Sequence, residues 1–307
     1  MAEFRAPVES YKGKIVEVTI GKGDKAVKIG GENVFAFNQA FDEGSWPNPP
    51  KVAVEIWDME PEGWVKGILD FYGDAVSDPA QWAKKVAEAL NPDLIFLYML
   101  STDPNEKDTP PERAVEVAKA VYEAAGLPLI VYCTGNETKD PQVLQKVAEA
   151  LSGENLLLGP AIKEDYEPIA QAAKEHGHCL SSQAPIDINL QKELNVKLTR
   201  IVPAEKVVMD PLAPCVGVGF EFGFSIFERQ KHAGISFGDE MMQMPLLANF
   251  SFEVWKTKEA KGNEKMGLMW EEMTAMGYLL AGANLLVVRH PEAYRKVKEL
   301  IERYKKS

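Results

Sequence analysis

Three cysteines are all that 307 residues contain, and Cys133, Cys179 and Cys215 lie tens of positions apart with no C-x-x-C pair. Neither a structural zinc site nor an iron–sulfur cluster can be assembled from those thiols alone, and a sparse, odd set fits a reducing compartment. Long apolar runs are also missing. The longest, Leu279–Val288, is interrupted by Asn284 and covers about half of the ~20 residues a membrane helix needs. Residues 1–20 are charged and hold no apolar h-region, so no secretory signal is expected. Positive charge is in deficit, with 34 Lys plus Arg against 46 Asp plus Glu and a net charge of −12, which works against binding to nucleic-acid phosphates. A soluble, cytoplasmic protein without a membrane or nucleic-acid partner is the expectation.

What the chain does have, from residue 51 onward, is a regular alternation. Eight short apolar runs stand out: Lys51–Asp58, Asp93–Leu100, Leu127–Thr134, Asn155–Ile162, His178–Gln183, Lys206–Asp210, Met244–Phe250 and Ala283–His290. Most are apolar throughout and do not alternate, as parallel strands covered on both faces do. Amphipathic segments fall between them. Three of these open at Asp78-Pro79, Thr109-Pro110 and Asp140-Pro141, where a side-chain oxygen can cap the first amides and proline presets the first helical φ. Asp165–His176, Asp187–Leu198, Ser225–His232, Met266–Ala281 and Pro291–Lys305 supply five more helix candidates.

Eight strand–helix units are the number that closes a barrel. The predicted fold is therefore α/β, a (β/α)8 TIM barrel over 51–307. An open doubly wound sheet is the alternative, but it typically has fewer strands and a Gly-rich first turn that the first strand here lacks. Residues 1–50 differ: Lys14–Ile20 and Lys25–Ile29 flank Gly21-Lys22-Gly23-Asp24, which reads as a β-hairpin. This N-terminal extension is expected to cover the barrel bottom or to dock a partner.

In this fold chemistry sits where strands end. Those positions are Asp58, Ser101-Thr102-Asp103, Thr134-Gly135-Asn136, Ala161, Gln183, Asp210, Asn249-Phe250 and Arg289-His290, a rim rich in neutral hydrogen-bonding groups. A Schiff-base aldolase would place a desolvated lysine inside the sixth strand, yet Lys206 only begins it. A phosphate site would show glycines after the seventh and eighth strands, where Asn249-Phe250-Ser251 and Arg289-His290-Pro291 stand. The one close histidine pair, His176 and His178, precedes the fifth strand and belongs to the bottom, so a surface or packing role outweighs metal ligation. No catalytic and no metal-ligating set emerges.

Two stretches are unusual. After the sixth strand, Pro211–Phe224 carries Gly217, Gly219 and Gly223 among aromatics; it reads either as a tightly packed rim loop or as an apolar close-approach surface for a large flat ligand. Phe220, Phe222 and Phe224 with Met241, Met242 and Met244 form either an exposed apolar rim or ordinary core. The fifth strand holds Ser181, Ser182 and Gln183 where apolar residues are expected, and Glu55 sits inside the first, so each needs a hydrogen-bonding partner. Glu55 is expected to be structural, while Gln183, at its strand end, is the better site candidate.

Glu154–Pro160 (ENLLLGP), Pro185–Leu194 (PIDINLQKEL), Met209–Phe227 (MDPLAPCVGVGFEFGFSIF) and Leu286–Ala293 (LVVRHPEA) together resemble the small subunit of the corrinoid iron–sulfur protein of the acetyl-CoA pathway. Its archaeal counterpart is the delta subunit of the acetyl-CoA decarbonylase/synthase complex. The likeness extends over nearly the whole chain, hairpin included. It implies a barrel related to pterin-dependent methyltransferases, paired with a large subunit that holds a [4Fe–4S] cluster and most cobamide contacts. The cobamide would lie between that partner and the top of this barrel. Its cobalt would take a methyl group from methyltetrahydrofolate through a separate methyltransferase and deliver it to acetyl-CoA synthase.

The residues agree with such a role. No D-x-H-x-x-G motif for a cobamide lower ligand occurs. A corrin is a broad apolar macrocycle fringed by amides, and by rim position Thr102, Thr134, Asn136, Gln183 and Asn249, with Gly217, Gly219 and Phe220 of the loop after the sixth strand, are the candidate contacts. Two other readings stand beside this noncatalytic methyl carrier. One is an active pterin-dependent barrel methyltransferase, in which Asp58, Asp210 and Asn249 recognise a pterin or handle a proton. The other is a purely structural scaffold, since this fold hosts many activities.

Overall fold

The computed structural model describes residues 7–37 and 43–304. Val18–Ile20 (β1) and Val27–Ile29 (β2) form an antiparallel pair in which Val18 faces Ile29. Eight parallel strands follow: Lys51–Trp57 (β3), Leu94–Tyr98 (β4), Leu129–Tyr132 (β5), Leu157–Ala161 (β6), Cys179–Gln183 (β7), Val207–Asp210 (β8), Leu247–Asn249 (β9) and Leu285–Val288 (β10). They pair in the order β8-β7-β6-β5-β4-β3-β10-β9. Met209 of β8 then bridges to Leu246 beside β9, its amide donating to the Pro245 carbonyl at 2.8 Å, and the cylinder closes. The expected barrel and the expected hairpin are both present, with strand ends trimmed by at most four residues.

The helices are Lys66–Tyr72 (α1), Pro79–Leu90 (α2), Pro111–Ala125 (α3), Lys139–Ala150 (α4), Tyr166–His176 (α5), Ile188–Leu198 (α6), Phe220–Ile235 (α7), Ser251–Lys256 (α8), Lys258–Gly262 (α9), Glu264–Leu280 (α10) and Pro291–Tyr304 (α11). Asp78 caps α2 as anticipated, accepting from the amides of Ala80 and Gln81 at 2.8 and 3.2 Å. The other two predicted caps are different. The Thr109 hydroxyl pairs with Ser101 Oγ at 2.8 Å, and α3 starts behind Pro110 without a side-chain cap. Asp140 lies inside the first turn of α4, and its Oδ2 accepts from the amides of Gly135 and Asn136 at 2.7 and 2.9 Å. It fastens the loop after β5 rather than the helix start. The segment expected to be a rim loop up to Phe224 turns helical at Phe220, with Gly219 at φ 85° as the residue before α7. The short helices α1, α8 and α9 carry no sequence signal that marked them out.

Side chains alternate across the strands, and this divides the core in two. Residues such as Val52, Val54, Leu97, Val131, Leu158 and Leu286 face outward under the helices. Ala53, Leu94, Phe96, Ile130, Tyr132, Leu157, Val208 and Val287 face into the cylinder. From below, the hairpin adds Val18, Ile20 and Ile29, all at 0% exposure, to that inner cluster. At current transfer values each fully buried aliphatic side chain of this kind contributes about 1.5–3 kcal/mol. The bottom of the barrel is thereby filled with hydrocarbon. The upper end is not, because the inward positions there are Glu55, Arg289, Ser181, Gln183, Asp210 and Asn249.

This alternation resolves the polar fifth strand of the barrel. Ser182 points outward and donates to Asn195 Oδ1 of α6 at 2.8 Å, and Gln191 donates back to it at 2.7 Å. Ser181 points inward beneath Tyr132, 3.4 Å from its hydroxyl. Lys206 lies at the bottom, bonding Asn155 Oδ1 at 2.6 Å. His178 is buried there too: Nδ1 accepts from the Leu156 amide at 3.1 Å and Nε2 reaches the Ala148 carbonyl at 2.9 Å. Both of its nitrogens are committed to the main chain, and desolvation holds its pKa below the usual histidine value. Among the described residues no group of three or more His, Cys, Asp or Glu is placed to hold a metal ion, and no helix is long and apolar enough to cross a membrane.

Candidate functional site

A cavity of about 540 Å3 opens at the C-terminal ends of the strands. Phe96 and Tyr132 form its floor, their ring centroids 5.1 Å apart, and Tyr98 packs edge-on against Phe252 at 5.3 Å along one side. Leu212, Ala213, Pro214 and Val218 of the loop after β8 form an apolar wall. Thr134, Gln183 and Asn249 supply neutral polar groups to the lining. Thr134 Oγ1 is buried and has no hydrogen-bond partner, an arrangement folded proteins rarely leave unsatisfied.

The carboxylates near the cavity are engaged within the protein. Glu55 accepts from Trp57 Nε1 and Arg289 Nη2, each at 2.6 Å, and from the Ser251 hydroxyl. Glu253 pairs with Lys256 at 2.5 Å. Asp210 accepts from the Tyr132 hydroxyl, from Gln183 Nε2 at 3.1 Å and from the Leu212 amide at 2.9 Å. Burial raises the Asp210 carboxyl above the ordinary range and the Tyr132 phenol well above its own. Asp58 is tied to the next loop, accepting from the Ser101 amide at 2.9 Å and from its hydroxyl. Burial likewise pushes the Cys133 thiol, beside the cavity, well above its usual pKa, which keeps it a thiol.

Of the eight residues singled out as contacts, Thr134, Gln183 and Asn249 line this cavity; the other five are not part of its lining. Thr102 is fully buried, its hydroxyl donating to the Met99 carbonyl at 2.8 Å. Asn136 accepts from the amides of Thr138 and Lys139 and shapes the entry to α4. Gly217 sits against Trp270, where a Cβ would come within 2.8 Å of the indole. Gly219 precedes α7. The Phe220 ring packs edge-on against Tyr278 at 5.2 Å. Nor do the aromatics and methionines of this region form one rim: Phe222 is 62% exposed, whereas Met242 and Met244 belong to the core. The sequence reading missed Tyr132, Tyr98 and Phe96, although the period-two facing of their strands places all three inside the cylinder.

The match to known proteins is extensive. Residues 17–304 fit the model of the CO dehydrogenase/acetyl-CoA synthase delta subunit. The chain belongs to that family. The Archaeoglobus fulgidus acetyl-CoA decarbonylase/synthase complex subunit delta is 36% identical, aligned over 97% of this chain and 70% of its own length. The namesake from Methanopyrus kandleri is 36% identical over 94% and 75%, and that from Methanothermobacter thermautotrophicus 32% over 98% and 79%. Among solved structures, a dihydropteroate synthase from Yersinia pestis superposes with a TM-score of 0.60 at 14% identity, covering 86% of this chain and 96% of the other. The dihydropteroate synthase of Thermus thermophilus gives 0.55 at 18%, covering 86% and 97%. These likenesses establish that this delta-family chain shares the barrel fold of those enzymes.

Proposed function

We propose that the barrel mouth shelters one face of a cobamide held jointly with a large corrinoid iron–sulfur subunit, and that the [4Fe–4S] cluster resides on that partner. The observation that carries this reading is the composition of the cavity: aromatic floor, apolar wall and neutral hydrogen-bonding groups, with the neighbouring carboxylates bonded inside the protein. A corrin ring is flat and largely apolar with primary amides at its edge. Thr134, Gln183 and Asn249 would hold those amides, and one of them would satisfy the buried Thr134 hydroxyl. At about 540 Å3 the cavity falls within the range of ~300–1,000 Å3 common for small-molecule sites, and it is smaller than a whole cobamide, which leaves the rest of the cofactor for the large subunit to cover. When bound, the cobalt would carry a methyl group from a methyltetrahydrofolate-dependent methyltransferase to acetyl-CoA synthase. This chain's part is to exclude water from one face and to orient the ring.

The pterin-dependent methyltransferase reading would use Asp58, Asp210 and Asn249; Asn249 lines the cavity, whereas both carboxylates already accept hydrogen bonds within the protein. The test is to produce the chain with its large subunit, purify the pair, and record the visible spectrum with a cobalt analysis. Corrinoid bands and stoichiometric cobalt in the pair, with little retained by the chain alone, are expected. Tight retention by the isolated chain, or a pair free of corrinoid, would overturn the proposal, and methyltetrahydrofolate binding to the isolated chain would favour the methyltransferase.

A further inference from the structure

An amide side chain has one donating and one accepting end, and what lies beneath Gln183 decides which end faces the mouth. Gln183 and Asp210 are register partners on β7 and β8. The Tyr132 hydroxyl donates to Asp210 Oδ2, so the phenol oxygen and that carboxylate oxygen both turn lone pairs toward Gln183. Its Nε2 donates to Tyr132 Oη at 3.2 Å and to Asp210 Oδ2 at 3.1 Å. The reversed amide would set its carbonyl oxygen against the Asp210 carboxylate oxygen, an unfavourable acceptor–acceptor contact, and would compete with that carboxylate for the Tyr132 hydroxyl proton.

The two acceptors are themselves held in place. The Leu212 amide donates to Asp210 Oδ1 at 2.9 Å and stops the carboxylate from turning. Tyr132 packs with its ring tilted against Phe96 and is closely fitted over β6, where a Cβ on Gly159 would lie 2.7 Å from its ring. Asp210 is 0% and Tyr132 2% exposed.

We infer that Asp210 and Tyr132 are positioning residues that fix Gln183 with its carbonyl oxygen Oε1 as an acceptor toward the cavity, so that this point of the mouth selects a ligand group bearing N–H. The inference rests on the corrinoid reading of the site, in which the peripheral primary amides are such groups. A corrinoid whose edge carries esters offers only acceptors and is disfavoured there. Removing Asp210, which lies beneath the lining, or only the hydroxyl of Tyr132, whose ring stays in the cavity floor, frees the amide to turn and weakens that choice.

The test uses the complex with the large subunit, stripped of corrinoid, and follows rebinding by visible absorption. Two probes are compared: cyanocobinamide, which keeps its peripheral amides, and a cobyrinic acid whose side chains are methyl esters. Wild type is expected to prefer the amide probe, and Gln183→Ala to weaken that probe about tenfold while nearly abolishing the preference. Asp210→Asn and Tyr132→Phe are expected to lower the preference in the Gln183 background and to have no further effect on it in the Gln183→Ala background. Equal losses in both backgrounds would show a structural role and overturn the inference. Should the Asp210 variant not fold, the probe comparison between wild type and Gln183→Ala still decides it, because an unchanged preference refutes a fixed acceptor. Wild-type complex that binds neither probe would instead refute the corrinoid reading itself.

Discussion

A buried ion pair helps to shape the upper barrel. Arg289 and Glu55 are 3% and 1% exposed on their side chains and meet at 2.6 Å. The guanidinium also lies over the Trp64 and Trp57 rings, at 4.3 and 5.0 Å from their centroids. A buried pair is worth little net, but losing one partner strands the other charge. Arg289→Met is therefore expected to destabilise the chain by about 3–5 kcal/mol, with part of the loss recovered when Glu55→Gln is added; urea unfolding of the single and double variants measures this, and additive losses would contradict it. Beside this pair, Glu271 takes amide donors from Arg289 and His290 and the Trp255 indole at 2.5, 3.1 and 2.9 Å, yet desolvation still raises its carboxyl from 4.5 to about 7. A folded pKa above the unfolded one means that the folded state binds the extra proton. Its contribution is complete below about pH 4.5 and is lost as pH rises to about 7. Between pH 5 and 7.5 wild type is thus expected to lose stability relative to Glu271→Gln, by at most about 1.4 kcal/mol per pH unit. Urea midpoints across that range that run parallel for the two proteins would exclude it. His178, with its lowered pKa, works in the opposite direction, since its unfolded form takes up a proton first as pH falls below the usual value of 6.5.

Single elements differ in how much of the site depends on them. The hairpin β1–β2 fills the barrel bottom, at the end opposite the mouth. Ile20→Ala is expected to cost about 2–5 kcal/mol by leaving a cavity in a close-packed cluster, while corrinoid rebinding by the surviving folded complex stays at the wild-type level. A matching loss of affinity, read in the same absorption titration, would mean that the hairpin reaches the site. The hairpin and most of the eight strands were legible as continuous apolar or alternating runs bounded by turn residues, and the polar Cys179–Gln183 strand was legible from its place in the repeated strand–helix cadence. The start of α7 was not, because Phe220–Phe224 lacks helix punctuation and is rich in glycine and aromatics. What makes it helical is tertiary: Gly223 lets the helix approach Tyr278, where a Cβ would fall 2.0 Å from the hydroxyl, and that hydroxyl donates to the Pro214 carbonyl at 2.7 Å. The same contact anchors the apolar wall of the mouth. Rim position found Thr134, Gln183 and Asn249, but it also selected Thr102 and Asn136, since a strand-end location does not say whether a side chain is already used by its own loop.

At the scale of the whole molecule, one end of the cylinder is sealed by hydrocarbon and the other is open and lined with groups that have work left to do. Three exposed apolar side chains stand on the open side, Val218 at 46%, Phe222 at 62% and Ile186 at 39%; Val218 and Ile186 also line the mouth. A protein that kept its ligand unaided would fold these inward, whereas one that closes its site with another chain leaves them for the partner to cover. The asymmetry makes a distinct forecast for amide hydrogen exchange. Joining the large subunit and corrinoid is expected to slow exchange over 184–190 and 211–222, which flank the mouth, by about an order of magnitude or more, as loop opening becomes coupled to release of the partner. Exchange over 13–31 is expected to keep its free-chain rates, because those amides lie at the far end. Protection that instead gathered on the hairpin would place the partner at the closed bottom, and a cofactor shared through the mouth would then be geometrically impossible.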